Sequence, residues 1–214
     1  MIPKKLFFIW IGRDIPKYVY FSMDAFKKMN DGFDIELVHI PQLFGSNNAD
    51  VIETKEKLKD VNSSYYKLYN KEWKRQNLSH SKKARDIWFT DVFRIHLINK
   101  YGGIYLDCDT YPIKPFDNKL LSKRCFKTLS VDINNRKCKW SDIYFMGSEK
   151  NKYSHENASN IECTVFKNNK IYNKQIPLGF EKNRSNFFNC INDFDPKYCM
   201  KNEYLLHFKA LEWK

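Results

Sequence analysis

The chain has 214 residues, of which 43% are hydrophobic and 16% aromatic. It is therefore long and apolar enough for one full globular domain, and it is not a disordered sequence. Its 37 basic residues against 25 acidic ones give a formal charge of +12. That excess is typical of proteins that bind nucleic acid, a membrane surface or a phosphate-bearing small molecule, and equally of a lysine-rich surface without such a partner.

The cysteines argue against a zinc-binding or disulfide-rich protein, and the apolar runs argue against a membrane-spanning or secreted one. Six cysteines show neither a C-x-x-C pair nor a zinc-ligand spacing, so we expect buried, reduced thiols. No apolar run approaches the ~18 residues of a membrane span, and the stretch after Lys4 and Lys5 is too short for a signal peptide. These features predict a cytoplasmic protein, or one peripheral to a membrane, without a transmembrane segment.

The first forty residues predict a strand, a helix and a second strand. The run "KKLFFIWIG" (4–12) is continuously apolar, as in a buried parallel strand. After Pro16, apolar residues recur at helical spacing at Val19, Phe21 or Ser22, Ala25, Phe26 and Met29. The segment "DIELVHI" (34–40) then alternates like a second strand. This order is that of a βαβ unit.

The clearest helix of the chain follows a lysine-rich segment, 45–80, which we also predict to be helical. In residues 81–101 a three-four rhythm is formed by Ala84, Trp88, Val92, Ile95 and Ile98 or Asn99. Gly102 is a suitable C-terminal stop. The apolar run "IYLDCD" (104–109) after it predicts a strand.

The second half of the chain has a weaker pattern. Short strands are predicted in "RCFKTLSVDI" (124–133), "DIYFMGS" (142–148) and "IECTVFKN" (161–168), and a helix in "SNFFNCINDF" (185–194). No linker or repeat divides the chain. The prediction is a single α/β domain over residues 1–214, with a mostly parallel sheet flanked by helices and a smaller, mixed second half.

Two aspartates, Asp107 and Asp109, stand at the end of the predicted strand 104–109. Because side chains alternate along a strand, both carboxylates are predicted on the same side, with Cys108 pointing into the fold. The carboxyl end of a parallel strand is where open α/β sheets bind ligands. Two carboxylates this close repel each other unless a cation lies between them.

Oxygen ligands without a nearby cysteine or histidine pair favour a hard cation, Mg²⁺ or Mn²⁺, which also binds water and phosphate oxygens. A phosphate-bearing ligand would suit the positive charge of the chain. On the preceding helix, Asp91 and Arg94 are three residues apart and share one face. From spacing alone they are either part of this site or an ordinary surface ion pair.

The stretch "TDVFRIHLINKYGGIYLDCDTYPIKPF" (90–116) resembles the signature of glycosyltransferases with a D-x-D sugar-binding region. That group includes glycosyltransferase family 32 and the catalytic domains of the glucosylating clostridial toxins. The amino-terminal "IPKKLFFIWIG" (2–12) resembles the first strand of the same family. The likeness covers residues 1–30 and 84–117 well, and the rest of the chain poorly.

The resemblance implies a GT-A type, Rossmann-like fold. Residues 1–117 would form the half that binds the nucleotide-sugar, and residues 118–214 the half that closes the site and binds the acceptor. Trp10 would stack on the uracil of the donor, with Ile9 beside it, unless Trp10 is a core tryptophan. Tyr105 would lie beside the ribose or the sugar, or simply pack.

The family resemblance also implies roles for the polar residues of the stretch 90–116. Asp91 would accept hydrogen bonds from sugar hydroxyls, and Arg94 would contact the sugar or the diphosphate as a catalytic group. Asp107 would hold the ribose and a metal-bound water. Asp109 would bind directly to the metal, which bridges both phosphates of the donor.

The carboxyl-terminal "LLHFKALEWK" resembles the closing segment of such enzymes. His207 and Glu212 are alternative metal ligands there, and Trp213 would touch the phosphate of the donor. In "SDIYFMGSEKN", Asp142 stands where the family more often has asparagine, beneath the anomeric carbon. An aspartate at this position could stabilise an oxocarbenium-like centre, act as a nucleophile or base, or be an ordinary loop acid.

The implied function is a metal-dependent glycosyltransferase that moves a sugar from a UDP-sugar to a hydroxyl of a glycan or glycoprotein, as in glycan biosynthesis, with retention of configuration and Mn²⁺ or Mg²⁺ as cofactor. Nucleic acid is not an expected partner. Two other functions stay open: a metal-dependent nuclease and a non-catalytic module that binds nucleotide-sugars. The lack of a further acid between Asp109 and Asp117 argues against the nuclease.

Overall fold

The structure is a computed structural model that describes residues 1–12, 14–40, 82–132, 138–154, 156–165 and 204–207. The helices predicted within 45–80 and 185–194 lie outside the described residues, as do Glu212 and Trp213. Of the side chains in β6, that of Asp142 also lies outside the description.

The described part of the chain contains three helices and eight strands. The helices are α1 (Lys17–Met29), α2 (Lys82–Tyr101) and α3 (Asn118–Leu121). The strands are β1 (Lys5–Ile11), β2 (Asp34–Ile40), β3 (Gly103–Leu106), β4 (Thr110–Pro112), β5 (Cys125–Asp132), β6 (Cys138–Ser148), β7 (Ser159–Val165) and β8 (Leu205–His207). None of these helices has both the length and the apolar character that crossing a membrane requires.

The eight strands form one sheet in the order β2-β1-β3-β6-β5-β7-β8-β4. Strands β1 and β2, β1 and β3, β5 and β7, and β7 and β8 pair in parallel. The antiparallel pairs are β3 with β6, β5 with β6, and β4 with β8. Each antiparallel pair includes a strand from the second half of the chain. The predicted α/β class, with a mostly parallel sheet and a mixed second half, is confirmed.

Strand β1 is buried on both faces, as its unbroken apolar run predicts. Leu6 and Phe8 join one core cluster, which α1 covers with Tyr18, Val19 and Phe26. Phe7 and Ile9 join a second cluster on the opposite face, which α2 covers with Phe93, Leu97 and Ile98. The alternation of side chains along β1 therefore divides the core into two layers, one on each face of the sheet.

The predicted apolar stripes of the two long helices are partly wrong. On α1 the choice between Phe21 and Ser22 falls on Ser22, which is fully buried and donates its hydroxyl to the Thr110 carbonyl at 2.7 Å. On α2 the choice between Ile98 and Asn99 falls on Ile98, which is fully buried, and Ile95 is partly buried against the same cluster, while the side chains of Ala84, Trp88 and Val92 lie outside the description. Phe93 and Leu97, which the predicted stripe left out, are also buried.

Gly102 and Gly103 let β3 start directly after α2. Gly102 has a φ of +70° and donates its amide to the Ile98 carbonyl at 2.9 Å, which ends the helix as predicted. Gly103 has a φ of +112°, and a Cβ there would lie 2.7 Å from the Lys5 carbonyl oxygen of β1. Only glycine fits this close approach of two backbones without strain.

The strand predicted over 104–109 is shorter in the structure. Strand β3 ends at Leu106, and residues 107–109 form a turn before β4 begins at Thr110. The Thr110 hydroxyl donates to the Asp107 carbonyl at 2.7 Å and so closes this turn. Strand alternation is therefore not what places the two aspartates.

Candidate active site

The turn that carries Asp107 and Asp109 lies at the carboxyl end of β3, which runs parallel to β1. Strand β8 brings His207 to the same place, because β8 pairs with β4 and sets His207 opposite Thr110. Three polar side chains, two of them from one turn and the third about a hundred residues later, therefore meet at this edge of the sheet.

Asp107, Asp109 and His207 converge closely enough to share one ligand. The His207 Nε2 atom lies 3.2 Å from Asp109 Oδ1 and 3.6 Å from Asp107 Oδ2. One donor atom from each residue falls within 4.8 Å of the others. Asp109 is 8% exposed and His207 is 5% exposed, whereas Asp107 is half-buried. Two carboxylate oxygens and one imidazole nitrogen form a donor set that fits a divalent cation.

Tyr144 of β6 supports both sides of this cluster, and the sequence pattern gave no indication of it. Its ring stacks on the His207 imidazole, with centroids 3.9 Å apart and planes tilted by 25°. Its carbonyl accepts the Asp107 amide at 2.9 Å. Because Tyr144 is almost fully buried, it forms a rigid base for the imidazole plane and for the turn.

The Asp107 carboxylate has two donors on one of its oxygens. Oδ1 accepts the Tyr105 hydroxyl at 2.6 Å and the Arg94 Nη1 at 2.9 Å. The other oxygen, Oδ2, is the one that lies near His207. The two carboxylate oxygens therefore have separate environments, one inside the protein and one at the cluster.

Arg94 joins α2 to β3 and β6. Besides Asp107, it donates to Asp91 Oδ1 at 2.6 Å, to the Ile143 carbonyl at 3.1 Å and to the Thr90 carbonyl at 3.3 Å. Arg94 is 5% exposed, whereas the Asp91 side chain is 41% exposed. The structure thus brings Asp91 and Arg94 to the aspartates, which the three-residue spacing alone left open.

Burial determines the protonation of two groups next to the aspartates. Desolvation raises the pKa of Tyr105 well above its usual value, so its hydroxyl remains a donor at neutral pH. Desolvation also raises the pKa of the Cys108 thiol, and the charges of Asp107 and Asp109 add to this rise. The thiol donates to the Ile9 carbonyl at 3.1 Å, so Cys108 points into the fold as predicted.

The predicted uracil-binding residues lie at the end of β1. Trp10 is partly buried, packs edge-on against Tyr18 with centroids 6.1 Å apart, and donates its Nε1 to the Asp14 carbonyl at 2.8 Å. The Ile9 side chain is buried in the core layer under α2. The backbone of Asp142 lies in β6 opposite Thr128.

Two known protein families match the part of the chain that contains this site. Residues 16–127 match the family described as glycosyltransferase sugar-binding region containing DXD motif, and residues 74–210 match the capsular polysaccharide synthesis protein family. Among solved structures, the chain is similar to one titled PaToxG Glycosyltransferase, with a TM-score of 0.46 and 18% identity. That alignment covers 71% of this chain and 55% of the PaToxG chain, so the chain spans about half the length of that relative. No curated protein matches the chain.

Both families cover more than half of the chain, and both matched ranges include Asp107 and Asp109. The predicted family resemblance is thereby confirmed. The chain belongs to the glycosyltransferase family with a DXD-containing sugar-binding region and, through residues 74–210, to the capsular polysaccharide synthesis proteins.

Proposed function

We propose that the chain is a metal-dependent glycosyltransferase that transfers a sugar from a UDP-sugar to an acceptor hydroxyl. One observation carries this proposal: Asp107, Asp109 and His207 converge at the carboxyl end of β3 in a chain of the DXD family. Open α/β sheets bind their ligands at this edge.

The donor set supports Mn²⁺ ahead of Mg²⁺, because His207 adds an imidazole nitrogen to the two carboxylates. Asp107, Asp109 and His207 would hold the cation. A divalent cation in such a site neutralises the charge that develops on a departing diphosphate. His207 is the ligand that the described residues support, while Glu212 remains a candidate from the family resemblance alone.

The nucleotide and the sugar have candidate contacts on either side of the aspartates. Trp10 is partly exposed and offers an aromatic surface for the uracil. The Asp91 carboxylate is accessible and is held by Arg94, so it can accept hydrogen bonds from sugar hydroxyls. From the resemblance, we also propose that Trp213 contacts the phosphate and that Asp142 lies beneath the anomeric carbon in a retaining mechanism.

The acceptor that the comparisons favour is a polysaccharide. Residues 74–210 match the capsular polysaccharide synthesis proteins, and this range contains all of β3 to β8. We therefore infer that the acceptor hydroxyl belongs to a growing glycan and that the reaction is a step of glycan biosynthesis.

Calorimetric titration of UDP, with Mn²⁺ and then with EDTA, tests the donor and the metal together. We expect UDP to bind much more tightly with Mn²⁺ than in EDTA, where only weak binding remains, and a panel of UDP-sugars would then identify the donor by its slow hydrolysis or transfer. Binding of nucleic acid that weakens with salt, in place of UDP binding, would contradict the proposal and support a nuclease. UDP-sugar binding without any turnover would leave only the non-catalytic module.

The variant Asp109→Asn tests the site itself. It removes one ligand charge without changing the size of the side chain, so we expect metal-dependent UDP binding and transfer to be lost. The control is Asp24→Asn on the exposed face of α1, which should bind and transfer as the wild type does. Metal-stimulated transfer by Asp109→Asn at the wild-type rate would refute the proposed site.

A further inference from the structure

We propose that Tyr105 and Arg94 are positioning residues, which hold Asp107 through one carboxylate oxygen so that the other oxygen faces the cation. This inference rests on the proposed function, because it concerns the same cation site. It assigns Arg94 a role different from the direct contact with sugar or diphosphate that the family resemblance implies.

The first step of the argument is the asymmetry of the Asp107 carboxylate. Oδ1 receives a neutral donor, the Tyr105 hydroxyl at 2.6 Å, and a charged donor, Arg94 Nη1 at 2.9 Å. Oδ2 lies 3.6 Å from His207 Nε2. Two donors on one oxygen fix the rotation of the carboxyl group, so Oδ2 is directed at the cluster with Asp109 and His207.

The second step concerns the donors of Arg94. A guanidinium has five N–H groups. Four hydrogen bonds already join Arg94 to protein acceptors: the Asp107 and Asp91 carboxylates and the Ile143 and Thr90 carbonyls. An arginine that is 5% exposed and has four of its five N–H groups bonded to protein acceptors presents little of its guanidinium to a diphosphate. Arg94 therefore acts on the ligand through Asp107.

The third step is the mutual support of the two positioning residues. The Arg94 guanidinium carbon lies 4.6 Å from the centre of the Tyr105 ring, within the range of a cation–π contact. Tyr105 is 1% exposed and packs in the core layer under α2. Phenylalanine at position 105 would keep the ring contact and the packing, and would remove only the hydroxyl that Asp107 accepts.

Residues that orient metal ligands typically change metal affinity by about 10- to 100-fold when they are mutated. We therefore expect Tyr105→Phe to weaken Mn²⁺ binding by about 10-fold or more. Tyr105 is 1% exposed and its hydroxyl donates to Asp107, so we expect UDP binding in EDTA to be unchanged.

The experiment measures the Kd of Mn²⁺ from the paramagnetic resonance signal of the free ion, with and without UDP, for wild type, Tyr105→Phe and Tyr153→Phe. Tyr153 is the matched control, since it is a buried tyrosine of the same core layer and lies near Asn99, at the end of α2 remote from the aspartates. We expect only Tyr105→Phe to lose Mn²⁺ affinity, while both variants keep a cooperative thermal transition. Equal losses in both variants would overturn the inference, because packing alone would then explain them.

Arg94→Lys is the second variant, and it keeps the test decisive if Tyr105→Phe does not fold. Lysine retains the charge but cannot bridge Asp91 and Asp107 as the planar fork does, so Mn²⁺ affinity should fall by a similar factor. UDP binding in EDTA should equal that of the wild type. A loss of UDP affinity in EDTA would show direct contact with the diphosphate and would overturn the positioning role of Arg94.

The wild-type protein distinguishes the two proposals. If it binds no Mn²⁺ either with or without UDP, the proposed function fails, and the inference fails with it. If the wild type binds Mn²⁺ and Tyr105→Phe binds it equally well, the proposed function stands and the inference alone is refuted.

Discussion

Replacing Gly103 with alanine should destabilise the fold through the backbone that leads into the candidate site. Gly103 is the first residue of β3, the strand that lies between β1 and β6 and ends next to Asp107. An added Cβ would lie 2.7 Å from the Lys5 carbonyl oxygen, and 3.2 Å from the Lys5 Cβ. Strand β1 pairs with β2 on one side and with β3 on the other, so its backbone cannot move away without disturbing these pairings.

Two costs combine in this variant. The φ of +112° is strained for any residue with a Cβ, at about 1–3 kcal/mol. The overlap with β1 adds a packing cost of about 1–3 kcal/mol. The sum, about 2–6 kcal/mol, is a large part of the roughly 5–15 kcal/mol by which a domain is stable.

Gly32→Ala is the matched control for the backbone strain alone. Gly32 also has a positive φ, +75°, but the nearest atom to an added Cβ is the flexible Lys4 Nζ at 3.9 Å. We expect it to lose about 1–2 kcal/mol. Urea unfolding followed by circular dichroism gives both free energies, provided that the slope m is unchanged. Equal losses in the two variants would refute the argument that the approach of Gly103 to β1 requires glycine.

Two further predictions concern buried polar groups. Ser22→Ala should cost about 1–3 kcal/mol, because the buried Thr110 carbonyl loses its donor, whereas Ser122→Ala, at an exposed site, should be nearly neutral in the same urea assay. Burial lowers the pKa of His96 from 6.5 to about 3, so between these values the unfolded chain binds a proton that the folded chain does not. His96 therefore lowers the free energy of unfolding as the pH falls below about 6.5, by about 1.4 kcal/mol per pH unit. In urea unfolding at pH 7, 6 and 5, the free energy of unfolding of His96→Gln should fall less steeply than that of the wild type. If the free energies of unfolding of wild type and His96→Gln change in parallel with pH, folding does not lower the pKa of His96.

The helices and strands in the first half of the chain could be predicted because the features that determine them are local. The apolar run of β1, the proline before α1 and the glycine after α2 each act on the residues beside them, and the structure confirms all three. The buried faces of the helices were less predictable, because burial depends on what packs against a helix. Ser22 is buried since its hydroxyl has the Thr110 carbonyl as a partner, and Thr110 is 88 residues away in the chain.

The two aspartates lie close together as predicted, but the predicted strand alternation is not the reason. Strand alternation predicted both carboxylates on one side, but β3 ends at Leu106 and the aspartates lie in a turn. They approach each other because Tyr144 and Thr110 hold the turn and His207 lies between their oxygens. A turn between two strands can direct both of its acidic side chains toward the same cluster. The alternation of side chains along a strand does not predict this arrangement.

Spacing and periodicity do not predict the partners of the aspartates, because these partners come from distant parts of the sequence; His207 was predicted from the family resemblance alone. His207 reaches the aspartates only because β8 pairs with β4, and a short strand such as β8 leaves little signal of its partner. Spacing on a helix showed that Asp91 and Arg94 are neighbours, but not that α2 covers the same face of the sheet as Tyr105. Once that face is known, the two residues can be distinguished: the Asp91 side chain is accessible to a ligand, whereas Arg94 is buried among protein acceptors, which supports its proposed positioning role.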